Sequence, residues 1–159
     1  MFQTTRSYRG MVTAPHNLAA RAGLRVLEDG GNAIESMVAS AATIAVVYPH
    51  MNGLGGDNFW LIHASGKDVV GIDACGGAAT RADSDYYRNL GFDSIPSRGN
   101  HAALTVAGAV SGWQEALNIS KNIWGGKLPL ERLLEDAIHY AENGVAVTRT
   151  LADNMRVKF

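Results

Sequence analysis

Cysteine is nearly missing from this sequence: Cys75 is the only one in 159 residues. A single thiol excludes an internal disulfide framework and a cysteine-based zinc site. Blocks of like charge are missing too. Fourteen Lys and Arg face fifteen Asp and Glu, and the formal net charge is −1. That balance argues against nucleic acid or an anionic membrane surface as a partner. No apolar run is long enough to span a membrane, because the run from Met37 to Val47 is short and closed by stop signals. The first ten residues, Met1 to Gly10, hold no apolar segment, so no secretory signal is read there and a cytoplasmic location is expected. Histidines stand at 16, 50, 63, 101 and 139, and no pair has ligand spacing with carboxylates nearby. Neither a metal nor a cofactor is expected.

What is present can build a core. Apolar residues make up 47% of the chain and charged residues 18%, and the length fits one domain. The organising stretch runs from Asn32 to Phe59. Asn32 can cap a helix, and Glu35 stands where the reciprocal partner of a capping box belongs. From Met37 to Val47 nearly every residue is apolar or small, so this helix is expected to be buried on all sides. Pro49 ends it. The turn Gly53-Leu54-Gly55-Gly56-Asp57 then leads into the strand residues Phe59 to His63.

The remaining elements follow from local signals. Met11 to Ala14 reads as a short strand closed by Pro15. Asn17 reads as the cap of an amphipathic helix that carries Ala20, Leu24 and Leu27 on one face and ends at Gly30-Gly31. Phe59–His63 and Asp68–Ile72 form a hairpin around residues 64–67, with Phe59 and Trp60 expected in the core. Asp73 to Thr80 reads as small and flexible. A short helix is expected from about Asp83 to Leu90, a loop from Phe92 to Ala103 and an extended piece from Thr105 to Gly108. A helix from about Ala109 to Ile123 should bury Trp113, Ala116 and Leu117. Pro129 suits a first helical turn, and Leu130, Leu133, Leu134, Ala137, Ile138 and Ala141 form a helical stripe ended by Gly144. Thr148 can cap a last helix that runs to the end at Phe159.

Little chemistry is visible in these residues alone. The glycine turn lacks a Walker lysine and runs from helix to strand, the reverse of both nucleotide fingerprints. Cys75 could be a nucleophile with His16 or His50 as its base. A lone cysteine among glycines and alanines is more often a packing residue. His139 falls on the polar side of its helix.

Longer motifs carry a resemblance. They are Gly10-Met11-Val12-Thr13-Ala14-Pro15-His16, Ala22-Gly23-Leu24 with Gly30-Gly31-Asn32-Ala33, and Pro49-His50-Met51 with Gly53-Leu54-Gly55-Gly56-Asp57 and Phe59. Thr105 to Trp113, and Ala137 with Tyr140, Ala141 and Gly144, continue the series. Together they resemble the gamma-glutamyltranspeptidase family over essentially the whole chain, nearest a signal-less cytoplasmic branch. The resemblance implies an α/β fold, the helix-rich portion of a four-layer αββα N-terminal-nucleophile hydrolase sandwich. It implies that residues 1–159 are one incomplete domain, the N-terminal part of a large subunit.

The resemblance also implies an enzyme as the full-length protein, with this portion alone inactive. Such precursors cut themselves, and the new N-terminal threonine of the small subunit attacks a γ-glutamyl amide with its own amine as base. No catalytic residue is then expected in this chain, and Thr4-Thr5 lie ahead of the large-subunit opening. The implied partners are that small subunit and a γ-glutamyl or related acyl-amide substrate; a homo-oligomer stays open. One substrate residue should fall here. The family shows Asp-Phe-Arg-Glu after the hairpin, its arginine gripping the substrate α-carboxylate. This chain has Asp73-Ala74-Cys75-Gly76, so Cys75 stands where that arginine belongs, and Arg81 is the nearby substitute. The departure leaves two alternatives open: a related acylase acting on a non-glutamyl amide, or a non-catalytic scaffold or binding protein.

Overall fold

The computed structural model describes residues 4–103 and 105–158. Residues 1–3 of the polar opening and Phe159 at the expected end of the last helix lie outside the described residues. The chain divides into two compact units, Met1–Gly53 with Trp113–Phe159, and Leu54–Gly112.

In the first unit, helix α1 spans Asn17–Glu28 and helix α2 spans Ala33–Val47. Ten of the fifteen α2 residues are buried, against four in α1. The all-round apolar pattern has this consequence: only the line Ala33, Met37, Ala41, Ala45, with Val46 beside its end, leaves the core. The two helices meet through small residues. A Cβ on Gly23 would lie 2.3 Å from the Ser40 Oγ, so only glycine admits this approach. Two buried hydroxyls cross the contact: Ser36 donates to the Gly23 carbonyl at 2.8 Å and Ser40 to the Ala19 carbonyl at 3.0 Å. They satisfy their own hydrogen-bonding needs where an unpaired hydroxyl would be costly.

The capping box at the start of α2 is present. Asn32 Oδ1 accepts from the Ile34 and Glu35 amides, and Glu35 Oε2 accepts from the Asn32 amide at 2.8 Å. The same two residues also reach far along the chain. Asn32 Nδ2 donates to Ser120 Oγ at 2.7 Å, within helix α4, Ala109–Trp124. Glu35 Oε1 accepts from the Leu128 amide, just ahead of helix α5, Leu130–Asn143. Helix α6, Arg149–Lys158, starts where Thr148 Oγ1 accepts from the Leu151 amide.

Several expectations need correction in this unit. Met11–Ala14 forms no strand, because no described segment pairs with it. The cap of α1 is His16 rather than Asn17: His16 Nδ1 accepts from the Leu18 amide, and Asn17 is already helical. Pro129 is the cap residue of α5 and lies just outside its first turn. The α5 stripe is only partly buried. Leu133 and Ala137 enter the core, while Leu130 and Ile138 stay exposed. Asp136 is buried instead, because Arg25 of α1 pairs with it.

The second unit holds the antiparallel strands β1, Asn58–Ile62, and β2, Val70–Ala74. The second strand starts two residues later than the sequence pattern suggests. This register sets Trp60 opposite Ile72 and Ile62 opposite Val70, apolar against apolar on one face. Phe59 and Leu61 occupy the other face and are exposed at 67% and 83%, so the expected burial of Phe59 is wrong. Trp60 is half-buried. Asp73 and Ala74 belong to β2, not to a flexible segment. Helix α3, Ser84–Asn89, is capped by Asp83, whose Oδ1 accepts from the Tyr86 amide. Tyr87 is buried, and its hydroxyl donates to the His101 carbonyl at 3.0 Å.

Candidate functional site

Three segments rich in small residues converge in the second unit. The glycine turn ends in Gly56, whose carbonyl accepts from both the Gly108 and Ala109 amides at 3.0 Å. These are orphan donors at the start of α4, so the glycine turn supplies the cap of that helix. The segment after β2 lies against the same stretch. Val106 donates its amide to the Gly77 carbonyl at 3.1 Å, and Ala78 pairs with Thr105 in an isolated bridge. The approach is close: a Cβ on Gly76 would lie 1.9 Å from the Val106 carbonyl oxygen, and one on Gly108 would lie 1.8 Å from that of Ala74.

Cys75 leaves β2 at this crossing. Its amide donates to Asp73 Oδ1 at 3.1 Å, a local turn that fixes the residue relative to the strand end. Asp73 also holds the Cys75 thiol above its ordinary pKa, by accepting a hydrogen bond from it and by its negative charge, and Asp57 adds to the effect. A thiol held protonated is a poor nucleophile. His16 caps α1, and His50 packs its ring edge on Tyr48 at 4.2 Å in the first unit.

Arg81 lies in an exposed turn closed by the Ala82 amide donating to the Ala79 carbonyl. Among the described residues no carboxylate pairs with it. The charges acting on Cys75 are those of Asp73 and Asp57. Sequence reasoning missed Asp57 as a neighbour of Cys75; its place beside a glycine turn gave no sign that the turn would meet the end of β2. No helix of the described residues is long and apolar enough to cross a membrane.

The chain's relatives agree with this architecture. The profile of the family described as Gamma-glutamyltranspeptidase matches residues 19–159. The oxamate amidohydrolase proenzyme of Klebsiella pneumoniae is 55% identical over 152 residues, covering 96% of this chain and 28% of that protein. The glutathione hydrolase-like YwrD proenzyme of Bacillus subtilis is 44% identical over 139 residues, 87% of this chain and 25% of that protein. The crystal structure of Helicobacter pylori gamma-glutamyltranspeptidase superposes with a TM-score of 0.83 at 30% identity, covering 97% of this chain and 43% of that one. The chain thus spans about a quarter of the length of the curated relatives it matches. Its mixed α/β architecture is that of the corresponding part of an N-terminal-nucleophile hydrolase of this kind. By motif order, profile and fold, the chain belongs to the gamma-glutamyltranspeptidase family.

Proposed function

We propose that this chain is the N-terminal part of the large subunit of an N-terminal-nucleophile amide hydrolase, and that the enzyme acts on a small amide that is not γ-glutamyl. The turn Asp73-Ala74-Cys75-Gly76 carries the reading. Where the family pattern has an arginine, this chain has a protonated thiol with two carboxylates acting on it. A γ-glutamyl α-carboxylate would meet no guanidinium fork here and two negative neighbours. A relative 55% identical is named for oxamate, an amide without a γ-glutamyl group, and that likeness supports the same substrate class. Oxamate has a carboxylate of its own, one bond from the amide carbon. Its anchor belongs beside the nucleophile, with the Cys75 turn as the far wall of the same donor pocket. The α-carboxylate of a γ-glutamyl amide lies several bonds further out.

The chemistry follows the family resemblance. The small-subunit threonine, made by self-cleavage of the same precursor, attacks the amide carbonyl with its amine as base. The C–N bond breaks and ammonia leaves with the transferred proton. Water then cleaves the acyl ester, which from oxamate releases oxalate. The small subunit is this chain's partner in that scheme. A free Cys75 suits the reducing cytoplasm, which we take as the setting. The experiment is to express the full reading frame, weigh the purified protein intact, and follow ammonia release from oxamate. Two self-cleaved pieces and steady ammonia release support the reading; an uncleaved chain that releases none overturns it.

A second reading keeps γ-glutamyl chemistry and gives the carboxylate to Arg81, whose exposed guanidinium pairs with no described carboxylate. It predicts that Arg81→Ala abolishes turnover of a γ-glutamyl donor.

A further inference from the structure

We infer that Gly76 and Gly108 are positioning residues for the acyl donor: they clamp the Cys75 turn between the end of β2 and the start of α4, and so set where that turn stands. The inference rests on the turn being part of the donor site, as proposed above. The two glycines meet backbone oxygens, not yielding side chains. A Cβ at Gly108 would lie 1.8 Å from the Ala74 carbonyl oxygen and 2.6 Å from its carbon. A Cβ at Gly76 would lie 1.9 Å from the Val106 oxygen. Nothing at these contacts can rotate away, so any side chain must move the turn or the helix start.

The clamp is closed on both sides of Cys75. Before it, Ala74 is held in register with Asn58, and Gly112 in the first turn of α4 presses on both: its Cβ would come within 2.8 Å of the Ala74 Cβ and 2.9 Å of Asn58 Oδ1. After it, the Val106 amide bonds the Gly77 carbonyl. Gly108 is in turn fixed by donating to the Gly56 carbonyl, and Ser111 Oγ donates back to the Gly108 carbonyl at 2.8 Å. A displacement of α4's first residues is therefore passed to Cys75 through backbone atoms. Gly108 separates sterics from conformation, because its φ is not in the left-handed region, whereas Gly76 has φ 57°. Gly55 is a natural comparison: it lies in the adjoining turn, and its Cβ would meet nothing within 4 Å.

The test uses the self-cleaved full-length enzyme with Gly108→Ala and Gly55→Ala. The clamp predicts that Gly108→Ala raises KM for oxamate and lowers kcat/KM by about a hundredfold, the scale of an ångström-size misplacement. It predicts that kcat falls much less and that Gly55→Ala behaves as wild type. A Gly108→Ala enzyme that self-cleaves and keeps the wild-type KM overturns the inference. Should Gly108→Ala fail to fold, hydrogen exchange on wild type decides. Amides in peptides covering residues 105–109 must be protected as one unit, and exchange at the rate of an open loop overturns the clamp. A wild type that cleaves no amide at all sinks the proposed function, while the exchange result still judges the clamp.

Discussion

Glu35 holds a point 93 residues further along the chain: one carboxylate oxygen accepts from its own helix cap at Asn32, and the other accepts from the amide of Leu128, both at 2.8 Å. Glu35 is 3% exposed and both donors are part-buried, so both lose their partner if the carboxylate is removed. Hydrogen bonds to a charged acceptor contribute about 1.5–3 kcal/mol each, and the stranded donors add a penalty. Glu35→Ala is expected to destabilise by about 3 kcal/mol, read as a shift in denaturant midpoint at constant slope. A shift below about 1 kcal/mol would show that the carboxylate only caps its own helix.

Packing along α2 yields a second prediction. Ala39 is 1% exposed, while Ala41 lies on the line with Ala33 and Met37 that leaves the core. Ala39→Leu should cost about 1–3 kcal/mol by overpacking, and Ala41→Leu clearly less. Equal melting temperatures for the two variants would contradict the burial pattern.

The pairs linking α1 and α5 differ in burial. Asp136 has a side chain only 8% exposed and pairs with Arg25. Asp29 is 48% exposed and accepts from Arg132 Nε at 2.7 Å. Arg25→Ala leaves a buried carboxylate unpaired, and because Arg25 itself is half exposed the expected cost is about 1–3 kcal/mol. Asp29→Ala breaks a surface pair and should cost about 1 kcal/mol or less. Reversal of that order in thermal melts would refute the assignment.

Cys75 provides a prediction on pH. Asp73 favours the protonated thiol, so the folded-state pKa lies above the ordinary value and the thiolate appears only at higher pH. Alkylation of Cys75, followed by peptide mass spectrometry, should rise through a midpoint above the usual ~8.5. Asp73→Asn removes the acceptor charge, lowers that midpoint and speeds alkylation at pH 8. An unchanged profile would mean that Asp73 does not act on the thiol.

Local signals made much of the fold legible. The Asn32–Glu35 box and the Thr148 cap are short-range patterns, and each is present. Long-range demands were not legible. Asp136 reads as a surface residue until Arg25 arrives from another helix, and the second oxygen of Glu35 has a partner no spacing rule contains. The second strand starts at Val70 and not at Asp68, because the last cross-strand pair is Ile62 with Val70. The Cys75 departure was visible in the motif. The charge of Asp57 felt at Cys75 was not, since the glycine turn and the end of β2 come together only through Gly108 in the fold.

The central claim is that the turn after β2 no longer grips a γ-glutamyl α-carboxylate. It is tested most directly by kcat/KM of the self-cleaved full-length enzyme on oxamate and on a γ-glutamyl anilide, for wild type and Cys75→Arg. A desolvated bidentate contact contributes about 2–5 kcal/mol, so wild type should favour oxamate by about a hundredfold or more. Cys75→Arg should raise γ-glutamyl turnover. A wild type that favours the γ-glutamyl donor, with no gain from Cys75→Arg, would contradict the account.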